Sequence, residues 1–118
     1  MGFVEEYKVT LTTDGAGAGI AETPVLQNVS LKAVKIAYDS ATAGAVTTIS
    51  TNGSTVTAIT GNTDLFNGLG IAPLDSTGAP NPQLSYEVPI ANSSITVAMT
   101  GGGATKSHVL TFYVVRGN

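Results

Sequence analysis

The sequence predicts an all-β fold: a single-domain antiparallel β-sandwich, jelly-roll-like, with about seven or eight short strands. Three observations predict it. Runs that alternate apolar and polar residues recur along the 118-residue chain, with turn residues between them. Those runs are rich in Thr, Val and Ile, whose branched side chains fit a pleated surface and lose rotamer freedom in a helix. No segment carries a convincing helical apolar stripe.

The elements follow in order. Phe3 to Thr13 alternates, with Phe3, Tyr7, Val9 and Leu11 on one side and Glu6, Lys8, Thr10 and Thr12 on the other. Asp14 to Gly19, DGAGAG, reads as a flexible turn, and Pro24 discourages a helix nearby. Val29 to Tyr38 also reads as a strand, with Val34, Ile36 and Tyr38 on one face; the competing helical spacing is Leu31, Val34, Lys35 and Tyr38. Asp39 to Gly44 is a turn cluster. Val46 to Thr51 and Ser54 to Thr60 form a hairpin around Asn52-Gly53, a pair that tolerates the positive φ angles of a type I′ turn.

Gly61 to Gln83 holds Pro73, Pro80 and Pro82 with an apolar cluster of Leu65, Phe66, Leu69, Ile71 and Leu74. It reads as a long loop that folds back on the core or docks on a neighbour, because structureless loops of this length are uncommon. Leu84 to Ile90 is a short strand ended by Pro89, and Ser94 to Thr100 points Ile95, Val97 and Met99 inward. Gly101 to Gly103 opens a mobile connection. His108 to Val115 is apolar on both faces, which marks a central strand or one covered by another subunit.

Composition narrows the function. Five cations against eight acids give a net charge of -3, and only 11% of residues are charged. Nucleic acid needs a basic stripe, so it is excluded as a partner. A charge-poor surface fits a chain that works inside an assembly. There is no cysteine, hence no disulfide or thiol nucleophile. No run approaches the ~18 apolar residues of a membrane helix. The start MGFVEEYKV carries two acids where a secretory signal has a basic region, so a cytosolic product without a membrane anchor is expected.

Candidate chemistry is sparse. The glycines of DGAGAG resemble a phosphate loop only in spacing: no helix start and no Lys-Ser/Thr pair follows. Asp14, Glu22, Asp39, Asp64 and Asp75 all fall in expected loops without metal-ligand spacing, and a loop Asp more often bonds the backbone two residues on. His108 is the only histidine, and Ser107 beside it faces the opposite side of a strand. Asn28, Asn52 and Asn92 stand in Asn-x-Ser patterns, acceptors only in a secreted chain. The aromatics Phe3, Tyr7, Tyr38, Phe66, Tyr86, Phe112 and Tyr113 fit a core better than a sugar platform. No catalytic, cofactor-binding or metal residue is assigned, and an enzyme is the least supported class.

Three segments carry a family resemblance: LKAVKIAYDSATAG (31–44), TAITGNTDLFN (57–67) and YEVPIANSSITVAMTGGG (86–103), followed by a final apolar strand. Together they resemble small all-β virion proteins of tailed bacteriophages, over residues 29 to 115. At Leu65-Phe66, where such chains often carry a Trp/Tyr-Tyr-Pro run, this one departs. The resemblance implies a non-catalytic structural role in the virion, cementing or decorating the capsid or serving in a head–tail connector. It implies contact with the major capsid protein or other virion proteins, and homo-oligomers. The expected contact residues are Phe3, Val4, Leu65, Phe66, Leu69, Ile71, Leu74, Tyr113 and Val115. The alternative is a host-receptor or glycan-binding module using Asn62, Asp64, Asp75 and Asn81.

Overall fold

Side-chain alternation along each strand puts one row inward, and two sheets share the resulting interior. The computed structural model describes residues 3–41, 43–67 and 88–116. Their strands are β1 (Phe3–Thr12), β2 (Gly19–Glu22), β3 (Val29–Ala37), β4 (Val46–Thr51), β5 (Ser54–Thr60), β6 (Leu65–Asn67), β7 (Val88–Ile90), β8 (Thr96–Thr100) and β9 (Ser107–Arg116). The first sheet has the order β1-β9-β3-β6, with β7 also pairing β3; the second has the order β2-β8-β4-β5.

This order is a jelly roll. β1 pairs β9, β2 pairs β8, β3 pairs β6 and β4 pairs β5, like one long folded hairpin. The hairpin is then rolled, so that β9 also meets β3 and β8 also meets β4. The ninth strand, β7, lies in series with β6 along one side of β3. β7 faces Val29–Leu31 and β6 faces Val34–Ile36.

Leu11, Leu31, Val34, Ile36, Leu110, Phe112 and Val114 of the first sheet pack against Ile49, Ile95, Val97 and Met99 of the second layer. Burying each such side chain stabilises by about 1.5–3 kcal/mol. A bulge at Lys32 shapes this core. Leu31 opposes Val114 while Ala33 opposes Tyr113, so Lys32 is an extra residue and the inward parity changes from odd to even. Leu31 and Val34 therefore both point inward, and their helix-like spacing is the imprint of the bulge.

Several expectations change. β2 forms where a turn and an irregular connection were expected, and Glu22 stands on it rather than in a loop. β6 forms inside the expected 61–83 loop. Pro89 does not end the strand: it lies within β7, on the edge of the sheet, and β7 runs on to Ile90, the expected last residue. The rest of that loop and residues 84–87 lie outside the described residues. The hairpin has its expected turn, with φ of 55° at Asn52 and 77° at Gly53.

Candidate functional site

β9 is central, as its apolar composition predicts, and its even-numbered residues His108, Leu110, Phe112 and Val114 are buried. The odd row, Val109, Thr111, Tyr113 and Val115, points to the outer face of the first sheet. Register brings β1 alongside: Val4 opposes Val115, Glu6 opposes Tyr113 and Lys8 opposes Thr111. Val4 is 58% exposed. On the other flank Ala33 opposes Tyr113, and Lys35 opposes Thr111. The outer face thus carries an apolar strip with Glu6, Lys8 and Lys35 beside it.

Three of the expected contact residues, Val4, Tyr113 and Val115, meet on this strip. Phe3 pairs with Arg116 at the start of β1. Leu65 and Phe66 sit on β6, at the far edge of the same sheet. Leu69, Ile71 and Leu74 lie outside the described residues. Every described contact residue therefore belongs to the first sheet.

The loops at one end of the sandwich give Asp14, the Gly101–Gly103 connection and His108 structural roles. Asp14 Oδ1 accepts the amides of Ala16 at 2.8 Å and Ala18 at 3.1 Å. These bonds, Ala18 first and then Ala16, hold the Asp14 carboxyl below its ordinary range. The amides a phosphate would need are thus turned onto the chain's own carboxylate, and a strand follows instead of a helix. The expected mobile glycine connection is a packed one: Gly102 is buried, its amide donates to Gly17 O, and the amide of Thr105 donates to Asp14 O.

His108 is fully buried. The amide of Asp39 donates to Nδ1 at 2.9 Å, so Nε2 carries the proton and donates to Gly102 O at 2.7 Å. Tyr38 packs edge-on against the ring, with centroids 5.8 Å apart. Both ring nitrogens are committed to the backbone. Ser107 is exposed on the opposite face, so the two cannot form a dyad. Among the described residues no three His, Asp or Glu side chains converge as a metal site.

Two polar groups expected to serve a glycan are also engaged. Asn62 Nδ2 donates to Ala41 O at 2.9 Å, and Asp64 Oδ1 accepts the amide of Tyr38 at 2.8 Å. Asp75 and Asn81 lie outside the described residues. An open, mostly apolar groove of about 330 Å³ runs along β2 and β8, between Asp14, Ile20 and Thr100.

Two arrangements at the opposite end were not readable from local sequence. Arg116 Nε donates to Glu5 at 2.8 Å and its terminal nitrogen donates to Tyr7 Oη at 3.2 Å. The Glu5 bond raises the guanidinium further above its ordinary value. The second is Asn52, whose side chain reaches from the hairpin turn to β7. Nδ2 donates to Pro89 O at 2.6 Å and Oδ1 accepts the amide of Ala91 at 2.9 Å. Its only sequence signal is the turn motif, because both partners are distant in the chain.

No protein-family model matches this chain, and no curated protein aligns with it significantly.

Proposed function

We propose that the chain is a non-catalytic virion structural protein that stabilises or decorates a capsid shell by bridging its subunits. The observation that carries this reading is the convergence of Val4, Tyr113 and Val115 on the outer face of the first sheet. Its partners are the major capsid protein or other virion proteins, and copies of itself. A head–tail connector would use the same kind of contact at another position in the particle.

Two further points support the reading. The surface is charge-poor, as suits a subunit largely covered by neighbours. His108, the one histidine, is locked in the interior. Viral capsid domains use the jelly roll, although lectins and cupins use it too, so the architecture by itself does not choose. The commitments of Asn62 and Asp64 to the backbone weaken the glycan-binding alternative.

The test is a Val4→Glu, Tyr113→Glu double variant. A charge placed in a covered apolar contact should weaken association by about tenfold or more. Light scattering across a concentration series reads self-association, and co-sedimentation with capsids reads particle binding. Loss of either with an unchanged circular-dichroism spectrum supports the face. Both retained at wild-type strength would remove this face from the proposal.

A further inference from the structure

Asn52 joins the two sheets through one side chain. Its hairpin belongs to the second sheet, while its partners Pro89 and Ala91 belong to the β7 edge of the first. The amide orientation is dictated by those partners, since a carbonyl only accepts and an N–H only donates. The backbone amide of Asn52 adds a bond to Ser93 Oγ at 3.1 Å. Thus an exposed residue in the turn also latches the end of β7.

The next residue is Gly53, and nothing lies within 4 Å of where its Cβ would stand. Gly53 is exposed, and having no side chain it does not hinder attack by its own backbone nitrogen. The sequence has a second Asn-Gly pair at Asn67-Gly68, whereas Asn28, Asn62 and Asn92 are followed by Val29, Thr63 and Ser93, each bulkier than glycine.

We propose that Asn52 is a spontaneous modification site, and that deamidation there unlatches the hairpin from β7. The Gly53 nitrogen attacks Asn52 Cγ and forms a C–N bond. Nδ2 leaves as ammonia, with the proton released from Gly53 N. Water then opens the cyclic imide to aspartate or isoaspartate. Water enters, ammonia departs, and nothing is oxidised or reduced. The product has lost the donor that met Pro89 O, and a carboxylate oxygen now faces that carbonyl. The isoaspartate form also lengthens the backbone within a tight turn. The latch itself restrains the amide, so the reaction proceeds mainly when β7 and the hairpin part.

The experiment has two arms. The intact protein is held at mildly alkaline pH and mapped by peptide mass spectrometry with an isoaspartate assay. Asn52 should convert several-fold faster than Asn28, Asn62 or Asn92. In the second arm, amide hydrogen exchange is compared for wild type, Asn52→Asp and Asn52→Gly. Glycine tolerates the turn but cannot form the latch. In both variants the Ile90 and Ala91 amides should exchange about tenfold faster, while Val97 and Met99 of β8 keep their protection. Conversion at Asn52 no faster than at Asn28, Asn62 and Asn92 would overturn the modification site. Wild-type protection of Ile90 and Ala91 in Asn52→Gly would overturn the latch.

Discussion

The two ends of the sandwich are closed by polar side chains in opposite settings. At one end the His108 ring is buried and bridges Asp39 N to Gly102 O. At the other the Asn52 amide is exposed and bridges Pro89 O to Ala91 N. Each uses one donor and one acceptor on one side chain. What differs is the solvent. A buried donor or acceptor that loses its partner bears its full desolvation cost, whereas an exposed one turns to water. The same bonding pattern is therefore a fixed part of the core at one end and an adjustable fastening at the other.

The largest test of this contrast is His108→Ala. It removes a buried ring and strands an amide and a carbonyl, so unfolding in urea should show a loss of about 3–5 kcal/mol. A loss below that of Asn52→Ala would break the comparison. Gly102→Ala comes next. Its Cβ would stand 2.6 Å from Met99 Sδ, 2.9 Å from Thr13 Cγ2 and 3.1 Å from His108 Nε2. Overpacking there should cost about 1–3 kcal/mol, and a crystal structure should show the His108 ring displaced. Asn52→Ala should cost only about 0.5–1.5 kcal/mol by the same urea titration, because its bonds are exposed.

The smallest effect sharpens the contrast through pH. Asp14 binds the amides of Ala18 and Ala16 from an exposed turn, and its folded pKa is lowered from 3.8. A lowered carboxyl pKa stabilises above the unfolded value, and that contribution disappears as pH falls through the folded one. The Tm difference between wild type and Asp14→Ala should be flat near neutral pH and shrink once pH drops below 3.8. A difference that persists unchanged in acid would assign the effect to the turn backbone rather than to the carboxylate.

Much of the fold was legible where burial and alternation coincide. β1, the β4–β5 hairpin, β8 and β9 follow their patterns, and the two-faced apolar character of β9 correctly marks a central strand. β2 was not legible, because its one large apolar residue, Ile20, is 72% exposed and its strand identity comes from backbone pairing with β8. β6 is too short to show a period. The Lys32 bulge broke the alternation of β3, which is why a helical spacing competed there. The interior position of His108 was within reach: it shares even parity with Leu110, Phe112 and Val114. The meeting of Val4 with Val115 depends on register between strands more than a hundred residues apart, and no local pattern encodes that.

The pairing of Phe3 with Arg116 also fixes an order of events during synthesis. β1 leaves the ribosome before any other described strand, and its hydrogen-bonding partner, β9, is the last of them to be made. At about 5–20 residues per second, the strand waits roughly 5–20 s with both edges open. Glu5, Glu6 and Lys8 fall in that waiting segment, where charge discourages pairing with a stray strand. A chain stopped short of β9 leaves β1 without its only ladder partner among the described residues, so the nascent product has no route to a closed first sheet until β9 has been made.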